Sequence, residues 1–527
     1  MILCVTCSII VSKEVYNKWQ KSPVIVSFAE KYTRVSEIPF PSVTICPETK
    51  ARSSILNFTQ LYNRWMEDGV DALEKEEEEN LRKMVAVLQL CSDSLNEELN
   101  ETGRYNFTDN KIFEIIKEVA PSFDETLVNC KFQNREEHCR DYFEEVITEE
   151  GLCYTFNSLE PTQIYREREH RHELFDALDR TKKTIDNWSL DDGYTSLNNR
   201  SYPLRVFGSG VRDGLAVTFS LNRSEFDETC RSHVQGFKIQ LHMPGVFPQL
   251  TKHYFHLPMK RDVLVAVNPH IIKTDEDLVS YGHEVRQCYF SDEKWLQFFR
   301  FYTKENCDFE CLTNHTLLAC GCVRFSMPRT KDTKICGIKK IDCCIRAEDE
   351  LLRKDDGLLG SNVFDDCNCL PSCTSYTYGV EQSHNIIKSK AECSHCGSIE
   401  KETAIVRIFF NKKQFISSKR SKLYGHIELL ANFGGLLGLF LGISLLSFVE
   451  IIYFFTLRTY LLVKRKILPI NSSTDKSKMK SNEKMNGIRS SVLNDPSGRV
   501  PLAKKGMALF AQRRRVSSRK DIVREGF

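Results

Sequence analysis

The chain has 527 residues, 27% of them charged and 41% hydrophobic, which allows one large core or several smaller ones and excludes a protein lying mostly in a bilayer. Its net charge of +2 hides an asymmetry, because Lys464–Phe527 carries seventeen Lys and Arg against five Asp and Glu, leaving that tail at about +12 and the remainder near −10. No basic globular body is left for nucleic acid, and no nucleic-acid partner is expected.

In chain order, Met1 to Ile10 is an apolar run too short to span a membrane and without the basic leader of a secretory signal. It reads as the outer half of a first transmembrane helix that begins upstream of this sequence, with Tyr16 and Trp19 at the outer interface. Ser22 to Phe28 reads as a strand leaving the membrane. Ile38 to Glu48 is too proline-rich for helix, and Cys46 offers a first staple. Phe58 to Leu99 turns helical around an acidic block, Glu74 to Glu79, that is either a solvated face or a cation-sensing patch. Cys130 and Cys139 bracket a short loop, and Cys153 opens the strand CYTFN. His170 and His172 lack the flanking ligands of a metal site, so no metal and no cofactor are expected.

Further on, Gly236 to Pro248 and Asp262 to Ile272 alternate apolar and polar residues and read as strands of one sheet. Trp295, Phe298, Phe299 and Phe301 read as a helix face. Cys307 and Cys311 stand one helical turn apart, followed by Cys320, Cys322, Cys336, Cys343, Cys344, Cys367, Cys369 and Cys373, with Cys288 ahead of them. That array reads as staples between a helix and its return strand, with zinc as the alternative. Cys393 and Cys396 form a local bridge or a reactive pair. Ala404 to Phe410 reads as a final strand leading to the membrane.

Twenty-one cysteines, all but Cys4 and Cys7 lying between Cys46 and Cys396, suit an oxidising compartment. Sequons at Asn57, Asn100, Asn106, Asn187, Asn199, Asn222 and Asn314 fall in the same region and describe a glycosylated ectodomain. Asn471 lies beyond it and should stay unmodified.

Leu429 to Val449 carries no charge over twenty-one residues and reads as a membrane span. Gly434, Gly438 and Gly442 recur every fourth residue, which either packs neighbouring spans or serves a pore. Gly442, Ile443 and Ser444 place a Gly-x-Ser triplet deep in the run, where a broken helix releases carbonyls that must be buried or face water. Copies around an axis would line a polar constriction. Glu450 either snorkels to the interface or draws cations to a pore mouth. Lys464, Arg465 and Lys466 place the C-terminus in the cytosol. The tail beyond is polar and basic and reads as disordered, with Arg513–Lys520 suited to anionic lipid or to a basic-directed kinase at Ser517 and Ser518.

These motifs, in this order, resemble the degenerin/epithelial sodium channel family, most closely its insect pickpocket branch. SPVIVSF, FPSVTICPE, CYTFN, the array from Cys307 through Cys373 and FGGLLGLFLGISLLSFVEIIYFF carry the resemblance, which covers about Tyr16 to Phe455. It implies an α+β membrane protein with two transmembrane helices, the first incomplete here, flanking a disulfide-rich ectodomain with a central β core and helical thumb and finger regions. The family's cytosolic N-terminal segment with its His-Gly motif precedes the point where this sequence begins. The implied layout is residues 1–20 as the first-span remnant, 21–425 as ectodomain, 426–460 as pore helix and 461–527 as cytosolic tail.

The resemblance further implies a trimeric, voltage-independent, amiloride-sensitive sodium channel of sensory type in the plasma membrane. Partners would be copies of itself or related subunits, membrane lipid and amiloride-type blockers. Gly442, Ile443 and Ser444 would form the selectivity filter, Ala431 would hold the gating position, Gly434, Gly435 and Gly438 would pack the pore helix, and Glu450 would stand at the mouth. Bridges carried over are Cys46–Cys153, Cys130–Cys139, Cys288–Cys373, Cys307–Cys369, Cys311–Cys367 and Cys322–Cys336, with Cys320 pairing Cys343 or Cys344. Cys91, Cys230, Cys393 and Cys396 receive no partner from the family pattern.

Three other readings were open. A single-pass, Cys-rich receptor without conductance would share the ectodomain. ATP-gated trimers share two spans and a bridged ectodomain, but the Gly-x-Ser triplet and the thumb cysteine array favour the sodium family. An enzyme is not expected, because no nucleophile elbow, P-loop or zinc-protease motif occurs.

Overall fold

Runs that alternate apolar and polar residues bury one face, and they build the centre of this molecule. The computed structural model describes residues 2–21, 23–68, 78–91, 111–166, 188–195, 202–231, 234–355, 367–387, 401–442 and 444–467. The chain divides into two units, Met1–Leu441 and Gly442–Phe527.

The first unit begins with helix α1 (Ile2–Lys21), which continues through Lys13 and Glu14 and is therefore longer than the apolar run that starts it. Strand β1 (Val24–Arg34), β2 (Ser42–Pro47), helices α2 (Phe58–Asp68), α3 (Glu78–Leu88) and α4 (Lys111–Val119) follow. Then come β3 (Leu127–Phe132), β4 (Arg135–Glu137), β5 (Phe143–Thr148), β6 (Gly151–Phe156), and the short pair β7 (Trp188–Ser189) and β8 (Gly193–Tyr194). The remaining strands before the paired helices are β9 (Leu215–Asn222), β10 (Gly236–His242), β11 (Phe255–Pro258) and β12 (Arg261–Thr274). Helices α5 (Lys304–Cys320) and α6 (Ile341–Asp355) precede β13 (Ser375–Ile386), β14 (Lys401–Phe410), β15 (Gln414–Lys422) and α7 (His426–Leu441).

Two sheets share one core. The larger runs β1-β15-β12-β14-β9-β3-β4 with β13 also on β12, and the smaller runs β11-β10-β2-β6-β5. In β9, Leu215, Val217, Phe219 and Leu221 point inward, as do Val263, Val265 and Val267 in β12. Each such side chain contributes about 1.5–3 kcal/mol of burial. Phe40 joins the sheets: its ring meets Phe410 of β14 at 5.5 Å, Phe132 of β3 at 5.4 Å and Phe156 of β6 at 6.0 Å, edge-on in each case. Helices α2 and α3 bury a separate core of Leu61, Tyr62, Trp65, Met84, Val85 and Leu88, with Cys91 and Cys230 inside it.

Three sequence expectations are corrected here. Strands β10 and β12 lie in different sheets, because β10 takes β2 as its ladder partner, Lys238 opposite Cys46; alternation specifies a strand without specifying its neighbour. Trp295 to Phe301 is not a helix. Its backbone bonds go sideways, from Arg300 N to Ile164 O at 2.8 Å and from Arg166 N to Phe298 O at 3.0 Å, while Phe299 stacks on Tyr165 at 5.4 Å. Nor is Ala404–Phe410 the last strand, since β15 follows it and leads into α7. Of the helical stretch expected from Phe58 to Leu99, α2 and α3 are seen, whereas 69–77 and 92–99 lie outside the described residues.

In the second unit, α8 (Leu445–Tyr453) runs through a π-helical turn, Phe454–Arg458, into α9 (Thr459–Ile467). Thr459 Oγ1 donates to Phe454 O at 3.0 Å across that turn.

Candidate functional site

The apolar run from Leu429 is not one continuous helix. Helix α7 stops at Leu441, and Gly442 takes φ +65°, a left-handed conformation that glycine adopts without steric penalty. Ser444 then caps α8: its Oγ accepts from Ser447 N at 3.3 Å, and Ser447 Oγ accepts from Ser444 N at 3.4 Å. A helix that ends leaves its last carbonyls without intrahelical donors. Gly442 therefore ends one helix inside an otherwise apolar stretch, and Ser444 begins the next. Ile443 lies outside the described residues.

Downstream, Leu446–Lys464 is the helix that is long and apolar enough to cross a membrane among the described residues, with mean hydropathy 1.6. The expected apolar span of Leu429 to Val449 is divided at Gly442–Ser444, with one part on α7 and the other on α8. Glu450 sits exposed on α8, within that helix.

In the first unit, Gly425 N donates to the Glu428 carboxylate at 3.1 Å and starts α7. Helix α7 packs against α1. At 3.6 residues per turn, the half-buried Leu429, Phe433, Leu436 and Phe440 share one face. Ala431, Gly434, Gly435 and Gly438 share the opposite face, and all four are exposed. A Cβ added at Gly434 or Gly435 would meet nothing within 4 Å. Small residues on an open helix face permit close approach of another helix.

The ladder β1–β15 joins the chain leaving α1 to the chain entering α7. Val24 stands opposite Lys422, and Leu423 N donates to Pro23 O at 2.7 Å. Strand β15 also pairs in parallel with the end of β12, Ile272 opposite Ser418. The turn after β12 adds Lys419–Asp275 at 2.7 Å, Lys422–Asp277 at 3.4 Å and Lys422 Nζ over the Tyr281 ring at 5.4 Å.

The cysteine array staples α5 to its surroundings. Cys307 and Cys311 on one face bond Cys369 and Cys367, while Cys288 bonds Cys373 immediately before β13. Cys320 bonds Cys343 and Cys322 bonds Cys336. Cys344, placed in the bridge set as the alternative partner of Cys320, is instead a buried thiol, because its neighbour Cys343 takes that bond. Cys46–Cys153 and Cys130–Cys139 complete the sheet region. Cys91–Cys230 was not legible: its partners are 139 residues apart and outside the dense array. No His/Cys/Asp/Glu cluster able to hold a metal occurs among the described residues.

Sequence reading also missed a buried charge cluster. Glu150, in the turn between β5 and β6, accepts from Lys50 at 2.9 Å, from Lys238 at 2.6 Å and from Arg231. Burial alone would raise its carboxyl, but the three cations hold it well below the usual carboxylate range. Burial lowers the Lys50 ammonium against the pull of Glu150. Neighbouring Glu149 is pushed up to about 7 by burial and by Glu150.

Of the sequons, Asn57 and Asn314 are exposed and Asn222 is half-buried at the end of β9. Asn100, Asn106, Asn187 and Asn199, with His170, His172, Cys393, Cys396 and the tail from 468 on, lie outside the described residues.

The family model described as "Amiloride-sensitive sodium channel" matches residues 1–454. The chain belongs to that family, the degenerin/epithelial sodium channels. Its members are ion channels, not enzymes. Among similar relatives is Pickpocket protein 28 of Drosophila melanogaster, 28% identical over 87% of this chain and 73% of its own length. Sodium channel protein Nach of the same fly is 23% identical over 85% of this chain and 79% of its own length. Acid-sensing ion channel 2 of Homo sapiens is 24% identical over 83% of this chain and 77% of its own length. The disulfide-rich mixture of helices and a central sheet region fits a family ectodomain, and its relatives place the chain among membrane channels for sodium.

Proposed function

We propose that this chain is one subunit of a trimeric, voltage-independent, amiloride-blocked sodium channel of the plasma membrane, serving a sensory role, with Gly442, Ile443 and Ser444 as its selectivity filter. The observation that carries the reading is the helix break at Gly442 followed by the Ser444 cap. Within hydrocarbon, backbone outside a helix is tolerated only where it is buried in protein or lines water. Copies of the break around an axis supply both conditions. Their carbonyls and serine hydroxyls then replace part of the hydration shell of a small cation.

In this reading the open face of Ala431, Gly434, Gly435 and Gly438 meets other copies or related subunits, Ala431 controls opening, and Glu450 concentrates cations at the mouth. Residues 21–425 lie outside the cell, 426–460 form the pore segment and 461–527 the cytosolic tail, with lipid around the span and both termini of the subunit in the cytosol. The bridges around α5 make a rigid body, and β15 transmits its motion to α7. No cofactor is required; the transported ion is Na+.

The test is a cysteine at the constriction. Ser444→Cys places one thiol per subunit around the axis, and a soft divalent cation such as Cd2+ should block its sodium current while leaving the parent current intact. A Ser444→Cys current indifferent to Cd2+ and unchanged in its sodium-to-potassium ratio would overturn the filter assignment.

A further inference from the structure

The end of α5 holds one more sulfur than its bridges use. Cys320, Cys322, Cys336 and Cys344 form one buried cluster, with Cys343 packed against it. The two bridges there are Cys320–Cys343 and Cys322–Cys336. Cys344 is only 1% exposed, and its Sγ lies 3.4 Å from Sγ of Cys336, a sulfur already engaged in a bridge. A thiol in contact with a disulfide sulfur is the starting arrangement for thiol–disulfide exchange.

We propose that Cys344 is an exchange site for the Cys322–Cys336 bridge, so that the α5–α6 region has two bonded forms of identical composition. In the step, the Cys344 thiolate attacks Sγ of Cys336. The Cys336–Cys344 bond forms as the Cys322–Cys336 bond breaks, and Cys322 leaves as a thiolate. It takes up the proton that Cys344 released, so nothing is oxidised or reduced overall. Two opposing influences set how readily the step begins. Burial raises the Cys344 thiol, whereas the Arg324 guanidinium beside it favours the thiolate. Arg324 is itself 4.0 Å from Glu348 on α6, whose charge works the other way.

The two forms constrain different parts of the fold. In the first, Cys322, just past the Gly321 that ends α5, is tied to the segment leading into α6. That tie runs alongside a backbone pairing of Val323 with Ile335, including Cys336 N to Val323 O at 2.8 Å. In the second, the same segment is tied to the first turn of α6, and the turn after α5 is released. Cys320–Cys343 persists in both, so the helices stay joined while the end of α5 loosens.

Disulfide mapping of the full chain tests this. The purified glycoprotein is incubated at mildly alkaline pH with a trace of reduced glutathione, quenched in acid, unfolded, labelled with N-ethylmaleimide and digested without reduction. The label should begin on Cys344, then move in part to Cys322 as a Cys336–Cys344 peptide appears, and Cys344→Ser should abolish that peptide. Cys322→Ser, made in the oxidising secretory pathway, should carry the Cys336–Cys344 bridge at full occupancy. Label confined to Cys344 at every time overturns the proposal, as does a Cys322→Ser chain with both Cys336 and Cys344 labelled. If Cys322→Ser does not reach the surface, the wild-type time course alone decides.

Discussion

Leu423 N donates a hydrogen bond to Pro23 O at 2.7 Å, so the chain leaving α1 and the chain entering α7 are tied together just outside the two helices. The tie continues as the β1–β15 ladder, and β15 is also clamped to the turn after β12 by Lys419–Asp275 and Lys422–Asp277. That turn is therefore linked to α7 through backbone pairing and two ion pairs.

For the Lys419–Asp275 pair we expect a coupling on the order of 0.5 kcal/mol, since exposed pairs are screened by solvent. Lys419→Glu and Asp275→Lys should each shift channel opening, and the double reversal should restore it about to the parent level. Single-channel open probability over that double-mutant cycle checks this; additive effects would remove the pair from the transmission route.

Gly442 has open space around it, so Gly442→Ala should cost backbone strain of about 1–2 kcal/mol rather than a clash. We expect less mature subunit at the cell surface by surface biotinylation. Ser444→Ala loses the cap of α8, about 1 kcal/mol, and should change the sodium-to-potassium permeability ratio while surface levels hold.

Glu150→Gln strands Lys50, whose side chain is 2% exposed, and should destabilise the first unit by about 3–5 kcal/mol. The pH dependence separates the two neighbouring carboxyls. Glu150 is held below its unfolded value, so its stabilisation is complete above about pH 4.3 and is lost only as pH falls beneath that. Glu149, at about 7, has the opposite sign: the folded chain keeps its proton from about pH 4.3 up to 7, and stability falls as pH rises through that window. Thermal unfolding between pH 5 and 8 should therefore flatten in Glu149→Gln; an unchanged slope contradicts the assignment.

Cys91–Cys230 closes a separation of 139 residues and joins the α2–α3 core to the segment after β9. Its removal by Cys91→Ser with Cys230→Ser should cost about 2–5 kcal/mol. Melting temperature of the detergent-purified chain, or its surface level, reads the loss.

Much of this fold is legible wherever one residue type repeats at a fixed spacing. Cys307 and Cys311 announce a stapled helix, and the alternating apolar residues of β9, β10, β12 and β14 announce strands. What the spacing does not carry is partner choice, so β10 and β12 were placed together although β10 pairs with β2. Strand β15, QFISSKRSK, is mostly polar because one neighbour is the exposed β1, and it gives almost no apolar signal. The aromatic run at Trp295–Phe301 imitates a helix face, yet its backbone is satisfied by residues 164–166. At the candidate site, Gly442 and Ser444 were visible as a Gly-x-Ser triplet that breaks the helix within an apolar run. That Ser444 pairs with Ser447 to start the second helix depends on backbone geometry that the letters do not state.

The most direct measurement is whole-cell current from the subunit carrying Ala431→Val, with external sodium then replaced by a large organic cation and amiloride added. A bulkier side chain on the open face of α7 should hold the gate open. The account predicts a steady current that disappears with sodium and is blocked by amiloride. Surface-labelled Ala431→Val protein that passes no sodium current, alone or with related subunits, would contradict it.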